Sequence, residues 1–99
     1  NKYENALARF EKSFDDMIEN IEDLYIDIED LEESIAIEKD NAKIYKLQYD
    51  EGIISKNEYN NLKDNITLLK NELRKAELDL NMKYAELLAF SNPKKVIKE

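Results

Sequence analysis

Cysteine, histidine and tryptophan are absent from this chain of 99 residues, and glycine and proline occur once each. Without cysteine or histidine there is no disulfide framework, no zinc site of the usual kind, and no thiol or imidazole for catalysis. With one glycine and one proline, the chain has few positions at which a helix would end. We therefore expect long helices and no cofactor, and the sequence does not predict an enzyme.

Charge limits the partners of the chain. It has 23 acidic and 15 basic residues, which gives a net charge of −8. A chain this acidic repels phosphates, so neither nucleic acid nor an anionic lipid surface is an expected partner. No apolar run approaches the roughly 20 residues of a membrane-spanning helix, and we expect no span in this segment. The sequence begins at Asn1 without a basic and then apolar leader, which suggests a segment of a longer chain.

Hydrophobic periodicity is the strongest signal in the sequence. Seam residues recur every three or four positions in two series, which is the heptad pattern of coiled-coil helices. The pattern predicts an all-α fold, a long antiparallel two-helix coiled-coil hairpin that associates with further helices. Helix one is expected over about residues 3–51 and helix two over about residues 56–91. Each series contains one charged residue, Glu38 in the first and Lys83 in the second. The first series is Tyr3, Leu7, Phe10, Phe14, Met17, Ile21, Leu24, Ile28, Leu31, Ile35, Glu38, Ala42, Tyr45 and Tyr49, and the second is Tyr59, Leu62, Ile66, Leu69, Leu73, Ala76, Leu80, Lys83, Leu87 and Phe90.

The segment between the two series carries the signals for ending one helix and beginning another. Gly52 suits the left-handed position just after a helix, because it has no Cβ to clash there. Ser55 and Glu58 have the spacing of a capping box at the start of helix two. Ile54 and Tyr59 occupy the two positions of a hydrophobic staple. These signals predict a turn over residues 52–55.

A turn this short makes the helices antiparallel neighbours, and it pairs residues whose numbers sum to about 104. This register places Phe14 beside Phe90 and Tyr45 beside Tyr59. Pro93 is expected to end helix two, leaving a tail over residues 92–99. Helix one then overhangs helix two, so we expect self-association to cover the first seam residues. These are Tyr3, Leu7 and Phe10.

A second, interrupted apolar stripe lies away from the seam. On a lone hairpin it would face water, so we interpret it as a contact surface for neighbouring helices or further copies of the hairpin. The alternative is scattered surface residues, which are common on any protein. Its members are Ile26, Ile37, Ile44 and Leu47 in helix one and Leu68, Leu78, Met82, Ala85 and Ala89 in helix two.

Acidic residues are concentrated in helix one. Residues 15–33 contain ten carboxylates and no basic side chain. We interpret this run as a solvated face, with attraction of divalent cations or of a basic partner as the alternative. Residues 52–58 also match the second half of a calcium-binding EF-hand loop. Of the three upstream positions that should supply side-chain oxygens, however, only Glu51 carries a carboxylate, so no metal site is expected.

The residues around the turn resemble a known family. The pattern Tyr49-x-x-Gly52-x-Ile54-Ser55-x-x-Glu58-Tyr59, followed by Leu69, Leu73, Ala76, Asp79-Leu80, Tyr84 and Leu87-Leu88, is similar to the helical hairpin of TolC-type outer-membrane efflux proteins. The resemblance implies a trimeric helical barrel in the cell envelope, outside the cytoplasm, that forms an export duct. It implies that the tip meets the hairpins of a periplasmic adaptor protein. It assigns the second stripe to neighbouring hairpins and adaptor docking to Gly52, Ile53, Ile54 and Ser55.

Other interpretations stay open. The hairpin of the adaptor itself, in the membrane-fusion protein family, is similar over residues 49–59. That family also has an Arg and a Leu eleven and seven residues before the Ser, and those positions are Ile44 and Gln48 here. Residues 47–69 resemble the short SHOCT oligomerisation motif. Periodicity alone is equally typical of a cytoplasmic coiled-coil scaffold that holds partners apart.

Overall fold

A computed structural model describes residues 1–91 of the chain, and this part contains two α-helices. Helix α1 is Lys2–Asp50, and helix α2 is Lys56–Ser91. The fold is therefore all-α and has the form of an antiparallel two-helix hairpin, which confirms the predicted fold class. The predicted stop at Pro93 and the tail over residues 92–99 lie outside the described residues.

Burial follows the predicted seam. The most buried side chains are Ile21, Ile28 and Ile35, which are 5%, 9% and 7% exposed. All other seam residues over positions 14–49 and 59–90 are half-buried, including the two charged ones. The faces of both helices away from the seam are exposed, and within the described residues neither helix has the length and apolarity that crossing a membrane requires.

The charged seam residue of α2 keeps its ammonium group at the surface. Lys83 Nζ lies 3.6 Å from Glu86 Oε2, which is one turn later in the same helix, and the Lys83 side chain is 35% exposed. The aliphatic stem of lysine can pack along apolar surface while the charged end reaches water. A lysine at this seam position therefore needs no buried partner.

The contacts divide the chain into two units, each of which contains a part of both helices. The turn unit is Asp27–Ala76, and the terminal unit combines Asn1–Ile26 with α2 from Glu77 onward. In the turn unit, the ring of Tyr49 stacks on the ring of Tyr59 with their centroids 5.1 Å apart. The prediction had placed Tyr45 beside Tyr59. Helical side chains lean towards the N-terminus of their own helix, so in an antiparallel pair Tyr49 and Tyr59 lean towards each other.

The terminal unit corrects one prediction about the start of α1. Phe10 was expected to lack an apolar partner, and Phe14 was expected beside Phe90. Instead, the rings of Phe10 and Phe90 stack with centroids 4.7 Å apart, although Phe10 is still 46% exposed. Aromatic side chains are long, so a ring can contact a residue one helical turn away from the residue that lies opposite it in the predicted register. Stacking of the two rings then favours the contact. Tyr3 and Leu7 remain exposed, at 77% and 47%.

Candidate functional site

The turn closes α1 with a left-handed glycine. Gly52 has a φ of +76°, and an added Cβ there would meet no heavy atom within 4 Å. The Gly52 N–H donates to Tyr49 O at 3.0 Å, and the Ile53 N–H donates to Gln48 O at 2.7 Å. These two bonds form a Schellman motif, which satisfies carbonyl groups at the end of the helix. The position therefore favours glycine because of its backbone conformation and not because of crowding.

Ser55 caps the start of α2. The Glu58 N–H donates to Ser55 Oγ at 3.1 Å, and the Tyr59 N–H donates to Ser55 O at 3.0 Å. The reciprocal bond of a capping box, from the Ser55 N–H to the Glu58 carboxylate, is absent among residues 1–91. Glu58 is exposed, so its carboxylate loses little by bonding to water instead. Ile54 and Tyr59 are both half-buried, as a hydrophobic staple requires.

The tip, which consists of Gly52, Ile53, Ile54 and Ser55, presents one apolar side chain to solvent. Ile53 is 65% exposed, whereas Ile54 is half-buried. The backbone on both sides of Ile53 is held, since the Gly52 and Ile53 amides bond to α1 and Ser55 caps α2. The tip therefore holds an apolar group outward on an ordered turn.

An aromatic pair lies directly behind the tip. The stacked rings of Tyr49 and Tyr59 are inclined by 18°, and Lys63 Nζ lies 5.3 Å from the centre of the Tyr59 ring. Stacked aromatic pairs and cation–π contacts each contribute about 0.5–1.5 kcal/mol. This cluster connects the two helices next to the turn. Sequence reasoning placed both tyrosines in the seam but missed Lys63, which lies one turn after Tyr59.

All members of the second stripe are exposed. The large side chains Ile26, Ile37, Ile44, Leu47, Leu68, Leu78 and Met82 are between 52% and 63% exposed. Ala85 and Ala89 are exposed as well. Contact between this stripe and neighbouring helices stays a prediction.

In the turn unit, part of the stripe forms a groove of about 500 Å³ between the helices. Ile37 of α1 and Leu68 of α2 both line it, so the stripe residues of the two helices face one another across this groove. The carboxylate-bearing residues Glu38 and Glu72 also line it, together with Ser34, Asn65 and Leu69. The groove is thus lined by apolar and polar side chains together, and its two charged residues are both negative. The sequence identified Ile37 and Leu68 separately, but their shared groove depends on the register of the helices.

The terminal unit contains a tyrosine pair that sequence reasoning missed. Tyr25 and Tyr84 meet edge to face with ring centroids 6.2 Å apart, and their hydroxyl groups are hydrogen-bonded to each other. This hydrogen bond, with smaller contributions from desolvation and from the charge of Tyr25, raises the pKa of Tyr84 above its ordinary value. Each tyrosine directly follows a seam residue. That spacing places each ring beside the seam, but which rings meet depends on the register of the helices.

The acidic run of α1 shows no convergence on a metal. All ten carboxylates of residues 15–33 are exposed. Among residues 1–91, no group of three or more acidic side chains is arranged as a metal ion would require. The arrangement agrees with the interpretation of the run as a solvated face.

Comparisons of this chain with protein-family models, with curated proteins and with solved structures found no match. Its own surfaces, above all the tip and the second stripe, are therefore the basis on which a function is proposed.

Proposed function

We propose that this chain is a structural, partner-binding hairpin of a TolC-like efflux or secretion duct. In this proposal the second stripe packs against neighbouring hairpins, and the tip docks a periplasmic adaptor protein. One observation carries the proposal: Ile53 is 65% exposed on a turn whose backbone is held at both ends. An apolar side chain in this position is suited to binding a partner, because little ordering of the turn is needed on docking.

The strength of such a contact follows from the area that Ile53 can bury. Complete burial of an isoleucine side chain contributes about 1.5–3 kcal/mol. Since every 1.4 kcal/mol changes a dissociation constant about tenfold, loss of this side chain should weaken docking by roughly tenfold or more. Ile54 is half-buried and should contribute to folding as well as to docking.

The test is to titrate a purified periplasmic adaptor with the wild-type chain and with Ile53→Ser. We expect roughly tenfold weaker binding of the variant and an unchanged melting temperature. Leu88→Ser is a matched control, because Leu88 is 64% exposed but belongs to the terminal unit. Equal binding of the wild-type chain and Ile53→Ser would contradict docking through the tip.

The full-length reading frame would separate this function from that of a cytoplasmic scaffold. A signal peptide and a second, similar hairpin would support the duct component, whereas their absence would favour a cytoplasmic scaffold. The adaptor interpretation is less well supported, because Ile44 and Gln48 stand where that family has an Arg and a Leu.

A further inference from the structure

The two sides of the turn unit differ in charge. In the terminal unit, Tyr25 and Tyr84 each follow a seam residue directly and are in contact, so these positions of the two helices share one side of an antiparallel pair. In the turn unit, the residues that directly follow a seam residue include twice as many basic as acidic side chains. We call this the basic side, and its basic residues are Lys39, Lys43, Lys46, Lys63, Lys70 and Arg74.

The basic side is free of ion pairs within residues 1–91. All six basic side chains are exposed, and none of them belongs to the ion pairs of this part of the chain. The carboxylates of the same side are fewer. They are Glu29, Glu32 and Asp50.

The other side of the turn unit contains the groove and is acidic. Its positions directly precede seam residues, as Ser34 and Asn65 do, and both of these line the groove. Lys75 is the one basic residue of this side within the turn unit. We call it the groove side, and its carboxylates are Asp27, Asp30, Glu58 and Glu72, with Glu38 of the seam at the groove edge.

We propose that the groove side of the turn unit binds the basic side of the turn unit in a second copy of this chain. The inference rests on the proposed function and specifies how neighbouring hairpins pack. Two groove sides would bring carboxylates together, and two basic sides would bring lysines together, so both symmetric arrangements are repulsive. Only the unlike pairing brings opposite charges together. The aliphatic stems of the lysines can cover Ile37 and Leu68 while their ammonium groups reach Glu38 and Glu72.

This pairing is heterologous, because each copy uses one side for each neighbour. Heterologous contacts add copies side by side and form a ring if the rotation closes, or an open array if it does not. A wall of hairpins is the arrangement that a duct requires. The charge pattern of the turn unit thus supplies the specificity for such a wall.

Two charge-reversed variants test the pairing of sides. Lys63 is left unchanged because it lies over the Tyr59 ring, and Glu58 because its carboxylate is in the first turn of α2, where the helix dipole favours negative charge. The basic-side variant combines Lys39→Glu, Lys46→Glu and Lys70→Glu. The groove-side variant combines Asp27→Lys, Asp30→Lys and Glu72→Lys. Self-association of the 99-residue chain is measured by sedimentation velocity over a concentration series.

Each variant alone should need at least about tenfold more protein than the wild-type chain for half-association, because its two sides then carry the same sign. An equimolar mixture should return to within about threefold of the wild-type value, since each variant supplies the side that the other has lost. Wild-type behaviour of either variant alone, or failure of the mixture to associate, would overturn the pairing.

Matched controls distinguish the effect of where the substituted charges lie from the effect of the net charge of the chain. Three Lys-to-Glu changes take the net charge from −8 to −14, and a control with the same net charge should associate like the wild-type chain. It combines Lys2→Glu, Arg9→Glu and Lys12→Glu in the terminal unit. A second control matches the groove-side variant with changes opposite the seam, at Glu33→Lys, Asp40→Lys and Asp64→Lys. Circular dichroism checks that each variant is as helical as the wild-type chain.

Salt provides a measurement that does not depend on any variant. Raising the ionic strength from about 0.01 M to about 1 M shortens the Debye length from about 30 Å to about 3 Å. Association of the wild-type chain should weaken at least tenfold over this range, and an unchanged or stronger association would overturn the pairing.

The outcomes distinguish this inference from the proposed function. A wild-type chain that stays monomeric at low salt and high concentration would refute packing between hairpins, and the pairing of sides with it. A wild-type chain that associates while both variants behave in the same way would refute only the pairing of sides. Docking through the tip is tested independently by Ile53→Ser.

Discussion

Replacing Gly52 with an L-residue tests the turn that makes this chain a hairpin. Gly52 has a φ of +76°, where an L side chain costs roughly 1–2 kcal/mol. An added Cβ meets nothing within 4 Å, so no steric clash adds to this cost. A side chain also restricts the unfolded chain, which offsets about 0.4–1 kcal/mol. We therefore expect Gly52→Ala to destabilise the hairpin by about 0.5–1 kcal/mol, and the β-branched Gly52→Val by about 1–2 kcal/mol.

The assay is urea unfolding followed by circular dichroism, at one low protein concentration because self-association would change the apparent stability. A loss of 1 kcal/mol should lower the melting temperature by about 4–8 °C for a domain of this size. Gly52→Asn should cost less than Gly52→Ala, since asparagine tolerates the left-handed region. A D-alanine at position 52, introduced by semi-synthesis, avoids the left-handed strain and still restricts the unfolded chain, so it should stabilise the hairpin by about 0.4–1 kcal/mol. An unchanged free energy of unfolding for Gly52→Val, or equal effects of L- and D-alanine, would contradict left-handed strain at this position.

Further predictions concern the tyrosine pair and the seam. Tyr25→Phe removes the hydrogen bond that raises the pKa of Tyr84, so NMR of the Tyr84 ring should show ionisation at lower pH than in the wild-type chain. Because this bond favours the neutral phenol, its contribution to stability is complete below the ordinary pKa of 10.0 and is lost as the pH rises through the raised pKa. In that pH range the wild-type chain should therefore lose stability more steeply than Tyr25→Phe. Equal slopes for the two proteins would contradict this. Ile35→Ala should cost roughly 2–5 kcal/mol in urea unfolding, because Ile35 is only 7% exposed. Ile37→Ala, at a side chain that is 52% exposed, should change stability by less than about 0.5 kcal/mol, and equal effects of the two substitutions would argue against the seam.

The seam could be predicted because it depends only on local periodicity. Side-chain directions repeat along a helix, so residues at heptad spacing share one face whatever that face packs against. Ile21, Ile28 and Ile35 lie at this spacing and are the most buried residues of the described chain. The turn could be predicted for a similar reason, since Gly52 and Ser55 act through backbone groups a few residues away.

The groove and the tyrosine pair could not be predicted in the same way. Ile37 and Leu68 line one groove, and Tyr25 and Tyr84 share a hydrogen bond, although each pair is far apart in sequence. Such contacts depend on how far one helix is displaced along the other. Periodicity contains no information on this displacement.

The buried face of each helix and the position of the turn thus follow from local sequence, because both depend on the directions and hydrogen bonds of neighbouring residues. Which side chains meet across the helices becomes visible only in the folded hairpin. It stacks Tyr49, not Tyr45, on Tyr59, and it stacks Phe10 on Phe90. These contacts depend on the stacking of long side chains, which can join residues a helical turn away from the position that Cα register implies.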